Sequence, residues 1–363
     1  VQNASWIVSR TPSNVGAREG VCHHPRTVQC PLGTALATAS ACAVLAACGG
    51  GSSPAATTAA AASSPASGLS DQTRIDAATA TAQSDTNACA PIRPFYWEIG
   101  DRSSTLASGS VASSASTTVY TRASLMSIAS ASKWLYASYV AERRGGALGP
   151  DDYRYLNFES GYTSFDSCDQ NQTVAECQAM GTNADYTAAN DGKFFYNGGH
   201  MQAHAVLLGL GSLDNAGLAS ELKSQLAPDG ALIYTQPQLA GGVFTSSAAY
   251  ASVLRKMLGG QLRMGALLGT HPVCTNPRTC ASAVSAPIPS SESWHYSIGH
   301  WVEDDPKVGD GAFSSAGLFG FYPWIDASKT WYGIIARVAV AGALDSVDCG
   351  RLVRKAWTTG QPQ

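Results

Sequence analysis

From Asp71 onward the apolar positions first recur at helical spacing, interrupted by one early hairpin; after about residue 293 they alternate as strands do. Asp71 to Asp85 is an alanine-rich stretch that starts with a capping signal and turns Ile75 and Ala78 inward, which predicts a helix. Residues 95–102 (Phe-Tyr-Trp-Glu-Ile-Gly-Asp-Arg) read as a strand ending in a Gly-Asp turn, and a partner strand near Ser108 to Ala112 completes a hairpin. A helix carrying Ser130 runs to about Arg143, where Arg144-Gly145-Gly146 stops it. A mixed region rich in Tyr, Asn and Asp follows Leu148, with helices predicted at 172–180, 199–209 and 213–226. Residues 293–303, 317–326 and 330–340 each read as one strand, separated by turn residues, and so predict an antiparallel meander. Glu303-Asp304-Asp305-Pro306 reads as a solvated turn, and a last amphipathic helix starts at Ser346 with Cys349, Leu352, Val353 and Trp357 on one face. The order predicts an α+β domain whose sheet is built from both chain ends, around a long helical middle.

The first seventy residues have a different character. Leu32 to Ala47 is an apolar run too short to span a bilayer comfortably, preceded by Arg18 and Arg26. It ends in Leu45-Ala46-Ala47-Cys48, which resembles the bacterial lipobox, where the cysteine becomes the lipidated first residue. Residues 49–70 are rich in Gly, Ser, Ala and Pro, the composition of a tether. The expected organisation is a leader over 1–48 with lipidation at Cys48, a linker over 49–70 and one domain over 71–360. A formal net charge of −3 offers no electrostatic case for nucleic acid.

The six cysteines of the body are Cys89, Cys168, Cys177, Cys274, Cys280 and Cys349, an even number that suits an exported protein. Pairing Cys168 with Cys177 and Cys274 with Cys280 would close short loops. Cys89 with Cys349 would then join the two ends of the domain, although spacing alone leaves the connectivity open. Paired Cys-x-x-Cys units, as zinc sites favour, are absent.

The candidate chemistry centres on Ser130 and Lys133. Three residues is nearly one helical turn, so both side chains leave the helix on the same face. A serine hydroxyl needs a neighbouring base before it becomes a nucleophile, and a lysine serves only if burial lowers its pKa. Ile128, Ala129, Ala131, Trp134 and Leu135 offer that dry setting. A second Ser-x-x-Lys, Ser220 to Lys223, sits where polar residues alternate with leucines at helical spacing, and so reads as a solvated helix face. His200 and His204 lie four apart, as metal ligands on a helix do, but Met201 stands where zincins carry glutamate. No metal or cofactor is assigned.

Ser130 and Lys133, placed at the opening of the helical middle, resemble the Ser-x-x-Lys motif of the serine β-lactamase and penicillin-binding-protein superfamily. The element order is similar to the class C β-lactamase-like branch, which includes esterases and amide hydrolases. The resemblance implies an antiparallel sheet flanked by helices, with a mainly helical second subdomain. It also implies a cleft where three motifs meet. The second motif, Tyr-x-Asn, is matched imperfectly by Tyr196-Asn197-Gly198: Tyr196 would relay protons, Gly198 stands where asparagine belongs, and Asn197 would supply the amide. The third falls on Ser315-Ala316-Gly317, with Gly317 allowing close approach of substrate. The N–H groups of Ser130 and Leu318 would then form an oxyanion hole. The family cation of this triplet is missing, and only Arg337 or Lys307 would remain to supply one. The implied activity is an exported, envelope-anchored serine hydrolase acting on a small-molecule or peptide ester or amide, with a true β-lactamase or D-Ala-D-Ala carboxypeptidase, or an inactive cell-envelope binding lipoprotein, as alternatives.

Overall fold

The computed structural model describes residues 68–363; the leader, Cys48 and most of the linker lie outside the described residues. The first half of the body contains α1 (Asp71–Ala82), the hairpin β1 (Phe95–Asp101) and β2 (Thr105–Val111), the short strand β3 (Met126–Ser127) and the helix α2 (Ser132–Arg143). Then come α3 (Pro150–Leu156), α4 (Val174–Ala179), β4 (Phe194–Phe195), α5 (Gly199–Leu207) and α6 (Asn215–Leu226). A hairpin of β5 (Leu232–Tyr234) and β6 (Val243–Thr245) leads into α7 (Ser247–Leu258) and α8 (Met264–Leu267). The rest is strands β7 (Val273–Cys274), β8 (Ala283–Ser285), β9 (His295–Ser297), β10 (His300–Glu303), β11 (Ala312–Ser314), β12 (Tyr322–Ile325) and β13 (Trp331–Ala336), closed by α9 (Ala343–Thr359).

Eight strands form one sheet in the order β2-β1-β13-β12-β11-β10-β9-β7, and every neighbouring pair is antiparallel. β1, from the start of the body, pairs with β13 from its end, so the sheet is assembled from both ends as the element order predicts. α9 packs on β12 and β13 through Ser346, Val347, Gly350, Val353, Arg354 and Trp357, spaced three and four apart. α1, capped by the Ser70 hydroxyl, packs against α9, and α7 packs on β1 and β13. α2 is buried on all sides from Ser132 to Ala141, as a central helix must be.

Several segments differ from the sequence expectation. Residues 293–303 form not one strand but the hairpin of β9 and β10, turned at Ile298 and Gly299 with φ of 41° and 75°. Two successive positive φ values match the twist of a tight hairpin. A Cβ at Gly299 would also lie 2.5 Å from Ala137 Cβ and 2.9 Å from the Lys133 carbonyl, so the turn rests directly on α2. The stretch 317–326 begins as a turn, with Gly320 N–H donating to Gly317 O, and only Tyr322–Ile325 is strand. Glu303 and Asp305 are buried rather than solvated: Arg351 and Arg354 of α9 reach over to the Glu303 carboxylate, and Asp305 accepts from the N–H groups of Ser293, Lys307 and Val308. β11 and α7 carry no element in the sequence reading. The α7 signal was present: Ser246 accepts from Ala249 N–H at the N-cap, and Tyr250, Val253, Leu254 and Met257 recur on one face.

The cysteines pair as Cys89–Cys349, Cys168–Cys177 and Cys274–Cys280. The first links the segment before β1 to α9 across 260 residues. Removing it as the double variant Cys89→Ser/Cys349→Ser is expected to cost roughly 2–4 kcal/mol, since long loops lose most entropy on closure. A urea titration reads this as a lowered midpoint; an unchanged midpoint would show that the link adds nothing to the packing of α9.

Candidate active site

Ser130 stands in a single 3₁₀ turn, Ala129–Ala131, that runs straight into α2. Ala129 immediately before it has φ of 42°, a left-handed conformation that a residue with a Cβ adopts only under constraint. The constraint comes from both sides, since Ile128 N–H donates to Val243 O and Ala131 N–H to Ile128 O. Ser130 is left half-exposed while Lys133, one turn on, is buried.

The two side chains converge. Lys133 Nζ lies 3.0 Å from Ser130 Oγ and donates to Ala240 O at 2.9 Å. No carboxylate pairs with it among the described residues. Burial lowers the Lys133 pKa to about 7, so much of the amine is uncharged at neutral pH. Ser220 and Lys223, in contrast, are both exposed on α6, as the sequence predicts.

Tyr196 completes the group. Its ring lies 4.9 Å from Lys133 Nζ and stacks on Trp301 at 5.2 Å. Burial raises its pKa to about 12, despite side-chain hydrogen bonds to Ser130 and Trp301 that act the other way. At neutral pH the phenol therefore keeps its proton, while part of the Lys133 amine beside Ser130 has lost its own. Trp301 of β10, from the aromatic stretch 293–303 that reads as strand, lies beside Tyr196; the sequence names no role for it at the site.

The residues after Tyr196 explain the irregular motif. Asn197 Oδ1 accepts from Gly199 N–H at 2.8 Å, so the amide oxygen caps the start of α5. A Cβ on Gly198 would lie 3.0 Å from the Phe165 ring and 3.4 Å from Ala240 Cβ, so the place of the expected asparagine is taken up by Phe165. His200 and His204 each have both ring nitrogens engaged. His200 meets Ser160 Oγ at 2.7 Å and Phe195 O at 2.9 Å; His204 meets Tyr136 at 3.0 Å and Asp152 at 3.1 Å. These are structural imidazoles facing different partners.

The third segment lies against the first. Ser315 Oγ donates to Ser130 O at 3.1 Å. Gly317 allows a close approach, but of Ile128: a Cβ there would sit 2.1 Å from the Ile128 carbonyl oxygen. Ser315 N–H donates to Pro323 O of β12 and Gly317 N–H to Phe321 O just before it. Alternation turns the N–H of Ala316, between them, to the other side, while Leu318 already belongs to the turn closed by Gly320 N–H on Gly317 O. Ala316, flanked by two residues that touch the 128–130 segment, is a main-chain donor the motif reading passed over. Neither candidate cation reaches this place. Arg337 is buried, donating to Ser346 Oγ and Gly342 O, and Lys307 is exposed where it lines a cavity beside α9.

No protein-family profile and no curated protein matches the sequence. Solved structures do match in three dimensions. The hydrolase EstCE1, with promiscuous acyltransferase activity, shares 12% identity at a TM-score of 0.57, covering 79% of this chain and 99% of its own. A penicillin-binding-protein homolog from Caulobacter crescentus shares 12% identity at a TM-score of 0.54, covering 78% and 97%. A protein described as a β-lactamase from Bacteroides dorei shares 17% identity at a TM-score of 0.52, covering 72% and 93%. The chain has the serine β-lactamase-like fold. Ser130 and Lys133 lie at the start of the central helix α2, and Ser315 to Leu318 follow β11.

Proposed function

We propose that this chain is an exported serine hydrolase that cleaves an ester or uncharged amide through an acyl-enzyme on Ser130. The observation that carries this reading is the 3.0 Å approach of Lys133 Nζ to Ser130 Oγ in a setting that lowers the amine's pKa to about 7. Neutral Lys133 takes the Ser130 proton as Oγ bonds to the substrate carbonyl carbon. The resulting oxyanion is held by the N–H of Ser130 with that of Leu318 or Ala316. The carbon–leaving-group bond then breaks. Tyr196 gives its phenolic proton to the leaving oxygen or nitrogen and takes one from Lys133. Water enters by the reverse proton path, frees the acid and restores Ser130.

With Arg337 tied to Ser346 and Gly342 and Lys307 beside α9, the triplet favours neutral substrates over carboxylate-bearing β-lactams or D-Ala-D-Ala peptides. Three disulfides support an oxidising compartment, in keeping with a lipid anchor at Cys48. Gly198, which lacks the family amide, favours the alternative of an inactive binding lipoprotein. Labelling with a fluorophosphonate tests the choice: wild type is expected to label and Ser130→Ala to stay unlabelled. Equal labelling of the two would remove Ser130 from the mechanism. In a panel of p-nitrophenyl esters, a chromogenic cephalosporin and a D-Ala-D-Ala peptide, the esters are expected to turn over fastest.

A further inference from the structure

The segment that touches Ser130 continues into a turn with exposed apolar side chains. The turn that follows β11 and the loop between β13 and α9 are zipped together: Gly342 N–H donates to Leu318 O at 2.8 Å, and Ala339 N–H to Phe319 O at 2.9 Å. The same turn is anchored to the nucleophile's segment through Ser315 on the Ser130 carbonyl and Gly317 on Ile128. From these joined segments and the first turn of α9 four large apolar side chains face solvent: Leu318 at 44% exposure, Val338 at 54%, Val340 at 91% and Leu344, in α9, at 37%. Exposed apolar side chains gathered on adjoining loops mark a binding surface more often than chance does.

The charge pattern narrows the occupant. Arg337 opens this loop, and its guanidinium is drawn beneath the surface to Ser346 Oγ, Gly342 O and Asp345. Ser346 in turn donates to Gly320 O, locking the arginine under the turn. A substrate carboxylate would find the Arg337 guanidinium already engaged, whereas a hydrocarbon chain would find exposed apolar side chains on segments joined to that of Ser130.

We infer that the turn after β11 and the β13–α9 loop form a seat for the acyl chain of neutral, apolar esters cleaved at Ser130. This rests on the serine-hydrolase reading above and names its substrate class. With such a seat, kcat/KM rises with acyl length, because each methylene laid on the patch leaves water.

The test compares p-nitrophenyl acetate with p-nitrophenyl octanoate on wild type and on Val338→Ser/Val340→Ser. Both valines are exposed, so the fold should survive, and a thermal melt checks it. Wild type is expected to prefer octanoate, and the double variant to lose about tenfold in kcat/KM on octanoate but less than twofold on acetate. An unchanged octanoate-to-acetate ratio overturns the seat. A variant that keeps the ratio but loses self-association, or binding to phosphatidylglycerol vesicles, also overturns it and assigns the patch to those occupants. Fluorophosphonate labelling separates the two levels: a wild type that labels while the ratio stays fixed fails only the seat, and a wild type that does not label fails the hydrolase reading itself.

Discussion

Lys133→Met lowers kcat/KM for a p-nitrophenyl ester by about 10²–10⁴-fold, the range set by removing a general base. Methionine keeps the length and fills the same buried space, so the fold is expected to persist. Lys133→Arg should be as inactive, because a guanidinium keeps its charge at all accessible pH values. The wild-type pH profile carries the sharper information. Burial places the lysine pKa at about 7, so kcat/KM should climb through an acid limb near that pH as the amine loses its proton. Tyr196, raised to about 12, cannot produce that limb. A limb near pH 7 that survives in Lys133→Met would assign the base to another group. The same depressed pKa bears on stability: between about 7 and the unfolded value near 10.5 the unfolded chain binds more protons, so folding stability rises with pH over that window.

Glu303→Gln costs roughly 3–5 kcal/mol of folding stability, the range for breaking a buried ion pair by removing one partner. Glu303 accepts from Ser314 Oγ at 2.6 Å, from Tyr322, from Arg354 Nη2 at 2.8 Å and from Arg351 Nε at 3.1 Å. It therefore joins β10, β11, β12 and α9 at one point. Burial alone would raise its pKa, but Arg354 and Arg351 with the Ser314 hydroxyl hold it at about 2. Glutamine preserves shape and leaves a fully buried Arg354 facing a neutral amide. The sign for pH follows from the depressed pKa: the carboxylate's contribution is complete above about 4.5 and is lost as pH falls through about 2. Urea titrations should show the gap between wild type and variant wide at pH 7 and narrowing below pH 4. A gap under 1 kcal/mol at pH 7 would mean that the arginines find other partners.

Much of this molecule is legible in its sequence where the cause is local. Residues three apart on a helix share a face, which is enough to pair Ser130 with Lys133. A cap followed by apolar residues at helical spacing marks α1 and α6, and the same signal lay unread at α7. Strand signals at both ends predict the sheet, and the pairing of β1 with β13 bears this out.

Tertiary structure decided whatever depends on partners far away in the chain. Glu303 reads as solvated until Arg351 and Arg354 arrive from α9, and Gly317 serves Ile128 rather than substrate. The neighbouring residues already tell the dry Ser-x-x-Lys copy from the wet one, but the shell that dries Lys133 comes from elsewhere in the chain. Ala240 lies 107 residues beyond Lys133 and Tyr196 on another element, and together they replace the water around one amine. A pKa is set by what surrounds a charge in three dimensions, and spacing along a chain carries no record of that.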